Sequence, residues 1–434
     1  MTNKNAFVSI LLFLILGCSI NDITSIFEEK ETVLPGKRVN VFDFEDDIIV
    51  KANKRIQIDK PVEIKNWNQQ FQNEKNHLFH FKSKKTLKLK IKLSLGDISL
   101  DRINLIAQPI NDGKNFYYAD KNYNLISRKF TSGKLNWTIK LQNEKTEKVS
   151  FLGGMSLDNK NLLLTTGLGN VYSIDSLTGE IVWIKKFLVQ FSRPPLVYKN
   201  KVIVVSDDNQ TFCLNLENGE LIWTHIGNLE EVSIIGGSKP AAFGNFIALS
   251  YSSGEIYVLD ENDGSLIWFD NIDSGNYFSR SALNDIQSPL SIYDEKLYVP
   301  TFSDKFLVYK LDDGSKDWEL KISSINQVVI SGDSLYVIDT LGKLLCLDSS
   351  SGKLLWAVQL KTNKKGEEIR WFGPLLSSNK LIIANSSGTI LSLSPFTGKT
   401  LSKLNLDEEF IMSPVQVNEE VILITKNGTV FVLG

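Results

Sequence analysis

The sequence predicts an all-β fold, an eight-bladed β-propeller of four-stranded antiparallel blades, and three regularities carry that expectation. A glycine is followed four residues later by tryptophan at Gly133/Trp137, Gly179/Trp183, Gly219/Trp223, Gly264/Trp268, Gly314/Trp318 and Gly352/Trp356, and only Gly398/Ser402 breaks the pair. Ten residues before each glycine stands a second turn position, at Tyr123, Gly169, Asn209, Gly254, Asp304, Gly342 and Gly388, with an eighth at Gly428. Fourteen residues earlier again lie Pro109, Met155, Pro195, Pro240, Val328, Pro374 and Pro414, with Pro289 fifteen before its own turn. These eight starts are 39 to 49 residues apart, the length of a four-stranded unit.

Each unit reads as four short strands. In the third, PPLVYKN, KVIVVSD, TFCLNL and ELIWTHI run apolar or alternate, with polar turns between them. The Asp-x-x-Thr-Gly turn has a local cause: an aspartate such as Asp175 or Asp260 bonds its own backbone, and glycine accepts the positive φ that a side chain resists. The tryptophans Trp137, Trp183, Trp223, Trp268, Trp318 and Trp356 fall on the outermost strand. There a flat indole fills the wedge between neighbouring blades, and its N–H needs a backbone carbonyl. Six residues before each anchor glycine the side chain is small or β-branched: Ser127, Ser173, Cys213, Val258, Val308, Cys346 and Ser392. Cys213 and Cys346 thus hold equivalent places in blades three and six, on opposite sides of the ring and beyond disulfide reach.

The eighth unit ends after its third strand, so an N-terminal strand must close the ring. Residues 86–95, TLKLKIKLSL, are expected to do so, with Leu87, Leu89, Ile91, Leu93 and Leu95 on one face and Lys88, Lys90 and Lys92 on the other. Lysines along an outer strand discourage edge-to-edge association. Residues 62–67 are the second choice, because they would need a long link to Pro109. The domain reading is therefore a propeller over 86–434, preceded by a non-repeating extension over 18–85 that packs on the ring.

The chain opens with a targeting pattern. Lys4 precedes an apolar run at residues 7–16 that is too short to span a bilayer as a helix, and the run ends ILGC. This ending resembles the lipobox of bacterial lipoproteins. The resemblance implies a signal peptide over 1–17, lipidation of Cys18, and, from Ser19 after it, delivery to the outer membrane.

Composition excludes more than it assigns. A net charge of −2 over 434 residues leaves no electrostatic footprint for nucleic acid, and three cysteines build no disulfide framework. His77, His80 and His225 are too few and too scattered for a metal site. DENDG at 260–264 departs from an EF-hand loop, with its glycine one residue early and Asn271 at the twelfth position. Neither a Gly-x-Ser-x-Gly elbow nor a phosphate-binding Walker loop occurs. No catalytic residue, metal or cofactor is expected.

The repeat resembles the tryptophan-docking motif of quinoprotein-type (PQQ-like) propellers. Those include pyrroloquinoline-quinone dehydrogenases, which are longer and usually carry adjacent cysteines that this chain lacks. Lipobox, eight repeats and overall length together resemble the BamB family, scaffold lipoproteins of the outer-membrane β-barrel assembly machine. VLPGKRVNVF at 33–42 and Asn66–Trp67 are similar to the extension of its alphaproteobacterial members. The resemblance implies a non-catalytic scaffold, lipid-anchored on the periplasmic face of the outer membrane. It would dock a periplasmic domain of the BamA-like barrel-inserting subunit through loops near blades four and five. The matching residues are Val232, Ser233, Ile234 and Ile235, in VSIIGGSKP, and Asn284 and Asp285, in LNDIQSP. Ile235 stands where the family has arginine, and Arg280 is near enough in sequence to compensate. A quinone-dependent dehydrogenase and a ligand-sensing propeller are the alternative readings.

Overall fold

Eight four-stranded antiparallel sheets follow one another along the chain in the computed structural model, which describes residues 54–84, 86–96, 107–120, 122–141, 152–228, 236–237, 239–272, 286, 288–364 and 366–434. They form the blades of a propeller ring. Blades 1 to 7 span 110–140, 152–186, 196–226, 241–271, 291–320, 329–359 and 371–405, each with its strands in chain order from the channel outward. Blade 8 takes its three inner strands from 415–433 and its outer strand from Leu89–Ser94. Among the described residues the regular structure is all strand, and one small hairpin, Asn363–Lys364 with Glu367–Glu368, lies outside the blades.

The repeated turn positions share one backbone conformation. All eight second turn positions have positive φ, including the non-glycine residues Tyr123 (60°), Asn209 (65°) and Asp304 (57°). Side chains tolerate that region poorly, which is why glycine fills the other five.

The outer strand of every blade carries the same irregularity. In blade 3, Cys213 pairs with Trp223 and Leu214 with Leu221, leaving Ile222 as the extra residue of a β-bulge. The same shift recurs in the other seven blades. The small or β-branched residue six before each anchor glycine is the cross-strand partner of the tryptophan: Ser127, Ser173, Cys213, Val258, Val308 and Cys346.

Each indole crosses to the next blade in one fixed register. Nε1 of Trp137, Trp183, Trp223, Trp268, Trp318 and Trp356 donates to the carbonyls of Ser176, Leu216, Glu261, Leu311, Ser349 and Pro395, at 2.8–3.2 Å. Each acceptor lies three residues before the anchor glycine of the following blade. The ring itself lies on that glycine, where an added Cβ would meet indole carbon at 2.6–2.9 Å. The anchor glycine therefore serves twice, once for its positive φ and once for its missing side chain. Sequence reasoning foresaw only the first.

Blade 8 breaks the scheme on both flanks. Blade 7 offers exposed Ser402 in place of an indole, and blade 8 has no outer hairpin to receive one. On the other flank the closing strand sets Ile91 opposite Val432 and Leu93 opposite Val430, and Leu93 Cδ2 approaches the blade 1 anchor glycine, Gly133. Leu89 does not join the expected apolar face. The bulge at Lys90 turns it outward, and it is 47% exposed. Lys90 pairs with Glu420 and Lys92 with Glu408, exposed ion pairs worth at most about 1 kcal/mol each.

The described part of the extension, residues 54–84, threads along the inner edge of the ring. Trp67 exchanges two backbone hydrogen bonds with Asn111 of blade 1, and Leu157 N–H of blade 2 donates to Asn68 O. Gln69 Nε2 then reaches Val197 O of blade 3. Ala242 and Ile292 of blades 4 and 5 donate to Glu74 O and Lys75 O. His77 Nε2–H donates to Ile330 O of blade 6, Phe81 N–H to Leu376 O of blade 7, and Lys84 N–H to Glu419 O of blade 8. One segment thus visits the innermost strands of all eight blades in order. Those edges would otherwise expose unpaired backbone groups to the channel, and their need for partners places the segment inside. Residues 62–67 belong to this path, with Val62 bridging Phe81, and not to the closing strand.

Candidate docking face

The two ends of the channel differ in what borders them. One face carries the hairpins joining strands one to two of each blade and three to four of blades 1 to 7. The opposite, crossover face carries the connections from strand two to three and from each blade to the next. Val232, Ser233, Ile234 and Ile235 fall in the connection from blade 3 to 4, and Asn284 and Asp285 in that from blade 4 to 5. All six lie outside the described residues, as do Cys18, Arg280 and the stretch 33–42.

The structure describes the ends of both connections, and they are firmly held. Gly236 N–H donates to Ser192 Oγ at 2.8 Å, and Ser192 N–H donates to Asp207 Oδ1. Arg193, 1% exposed, donates from its guanidinium to Ser250 O and fills the space at Gly237, where a Cβ would lie 2.6 Å from Arg193 Nε. Burial raises the Asp207 carboxyl above the ordinary range, against the pull of Ser192 and Arg193. Sequence reasoning passed over Ser192 and Arg193. The available signal was an arginine at the entrance of an apolar inner strand, in FSRPP.

Lys239 points into the channel. Its Nζ donates to Gln69 Oε1 at 3.1 Å and Asn73 O at 2.9 Å, and burial pulls its ammonium down to about 7. Asn76 of the threading segment, 1% exposed, donates from Nδ2 to Lys239 O at 3.0 Å and to Leu290 O at 2.9 Å. A single amide therefore joins the last part of the first connection to the last residue of the second. The amide needs no charge for this, so the link is insensitive to salt.

The histidines hold structure. His77 is buried with its Nε2–H on Ile330 O, and burial lowers it to about 4. His80 accepts Asn379 N–H on Nε2, leaving Nδ1–H to donate to Asp59 O. His225 meets the Tyr251 hydroxyl through Nδ1. Among the described residues no three His, Cys, Asp or Glu side chains converge to hold a metal. Cys213 and Cys346 are free and fully buried.

Eight blades, six indole sutures and a channel threaded by the chain's own N-terminal segment define a tryptophan-docked propeller of the quinoprotein type. The family profile described as "Outer membrane protein assembly factor BamB" matches residues 124–358 and 342–433, and the chain belongs to that family. It is 21% identical over 336 residues to the outer membrane protein assembly factor BamB of Yersinia pestis, covering 75% of this chain and 83% of that one. It is also 21% identical over 352 residues to the protein of that name from Shewanella oneidensis, covering 78% and 87%. The fold is similar to the crystal structure of BamB from Moraxella catarrhalis, with TM-score 0.65, 18% identity, and 80% and 99% of the two chains covered. A europium-containing methanol dehydrogenase shares the fold at TM-score 0.65 and 14% identity, covering 83% and 89%.

Proposed function

We propose that this chain is a non-catalytic scaffold of the outer-membrane β-barrel assembly complex. Anchored by lipid at Cys18 on the periplasmic face of the outer membrane, it docks a periplasmic domain of the barrel-inserting subunit. The contacts are Val232, Ser233, Ile234 and Ile235 with Asn284 and Asp285. Apolar residues of the first connection form the buried centre and Asp285 orients the rim. No energy source is needed, because a scaffold acts by positioning.

The observation that carries this reading is family membership across the repeats, and the Asn76 link supports the choice of face. An interface is strongest when its loops are ordered before the partner arrives, and Asn76 fixes the ends of both connections against one internal strut. The dehydrogenase reading draws on the fold alone, which the methanol dehydrogenase shares.

The test is crosslinked pull-down of the lipidated protein followed by mass spectrometry. A large outer-membrane barrel protein should dominate the captured material, and Ile234→Asp should reduce its recovery without altering the unfolding transition. Normal capture by Ile234→Asp removes this interface from consideration.

A further inference from the structure

Two cavities on the crossover face adjoin each other. An axial funnel of about 350 Å³ lies where the inner strands begin, and its floor is Gln70 and Phe71 of the threading segment. A groove of about 500 Å³ runs outward among blades 5, 6 and 7. Ile325, Asn326, Arg370 and Trp371 line both, so funnel and groove form one bent cleft.

The groove walls carry apolar side chains left in water. Phe302, Ile325 and Leu341 are 54%, 50% and 67% exposed, and all three line the groove. They come from three separate connections, at residues 301–305, 321–328 and 339–342, so no single strand pattern forces them outward. Clustered exposed apolar groups at a concave site mark a contact surface. The floor points the same way. Phe71 and Gln72 both adopt positive φ, 61° and 74°, in a turn closed by Gln72 N–H on Gln69 O and Asn73 N–H on Phe71 O. Strain of that kind persists where the surroundings fix it, and here it sets Phe71 at the base of the funnel.

The chemistry of the lining selects the occupant. Arg370 already faces Glu409 at 3.7 Å, Asp339 accepts the Lys343 backbone N–H, and Glu368 is exposed to solvent, so no buried charge in the cleft calls for an ionic ligand. What remains, besides the exposed carboxylate of Glu368, is uncharged: the amides of Gln108, Asn326 and Asn363 beside apolar walls. Amides suit peptide groups, and the walls suit a large apolar side chain. The funnel is also lined by Gly236, Gly237 and Pro289, the described ends of the two connections assigned to docking. We infer that the cleft receives an extended, apolar segment of the same partner domain that those connections hold. The footprint thereby extends from blades 4 and 5 across the axis to blade 7. This inference rests on the docking reading above.

Photo-crosslinking in cells separates the two. Benzoyl-phenylalanine is placed singly at Ile325, Leu341 and Ile234 of the full-length chain, with exposed Leu401 on the blade 7 rim as control. The cleft is supported if Ile325 and Leu341 crosslink to the barrel-inserting subunit that Ile234 captures, while Leu401 does not. Ile325→Asp combined with Leu341→Asp should then lower capture about tenfold with an unchanged unfolding midpoint. Crosslinking at Ile234 but at neither cleft position overturns the cleft and leaves the docking reading intact. Crosslinks from the cleft to a different protein, or a small molecule co-purifying with it, also overturn it. If no position captures the assembly subunit, the docking reading itself falls and the cleft assignment goes with it.

Discussion

The indole of Trp223 lies flat on Gly264 of the following blade, so close that a Cβ there would sit 2.6 Å from Trp223 Cε3, while Nε1 donates to Glu261 O at 3.2 Å. Gly264→Ala therefore meets two obstacles, a φ of 73° and an occupied space, and should destabilise the ring by on the order of 2–4 kcal/mol. Trp223→Ala should cost about 3–5 kcal/mol, and Trp223→Phe, which keeps an aromatic ring but loses the N–H, about 1–2 kcal/mol. Urea unfolding of the three variants checks the order.

Ser402 occupies the tryptophan position of blade 7 but faces a blade without an outer hairpin. Restoring the repeat with Ser402→Trp should leave stability within about 0.5 kcal/mol, since neither the glycine nor its carbonyl is there to receive an indole. A rise comparable with the loss in Trp223→Ala would mean that the indole acts as general filler.

His77 gives the ring a defined acid sensitivity. Burial holds it neutral, with a pKa of about 4 against 6.5 when exposed, so the folded chain binds fewer protons than the unfolded chain between those values. Its contribution is present above about pH 6.5 and is lost as pH falls toward 4, amounting to on the order of 3 kcal/mol. His77→Gln can still donate to Ile330 O but does not titrate. Urea midpoints at pH 7.5 and 4.5 should fall less in the variant than in the parent.

Cys213 and Cys346 should resist alkylation while the ring is intact. Both are fully buried, and burial pushes the Cys213 thiol up to about 12 and Cys346 higher still. Iodoacetamide should label neither at pH 8 and both in denaturant, as read by mass spectrometry. Native labelling of either would contradict the packing at the outer-strand pairs.

Legibility in the sequence followed periodicity. Gly133 to Gly398 and their tryptophans recur at a fixed offset, so blade number and suture residues could be counted. Leu89 was misplaced because strict alternation hides a bulge, which drops one residue from the pairing without changing composition. Asn76 and Phe81 left no signal because they meet the ring through single bridges and side-chain bonds, which impose no period. The burial of Arg193 and Lys239 comes from the connections folded around them, which no periodicity marks. For the docking face, the sequence supplied the named loop residues, while the described structure supplies only what holds their ends.

The threading segment has a consequence for biogenesis. Residues 67–84 are made before any blade, yet their partners run from Asn111 to Glu419, so this early-synthesised segment must wait for the last blade. Contacts of such long sequence separation form slowly, and until they do eight inner edges stand open. The nascent protein should therefore pass through a protease-sensitive, chaperone-dependent stage that ends in one late step, when the lace is laid around the inside of the finished circle.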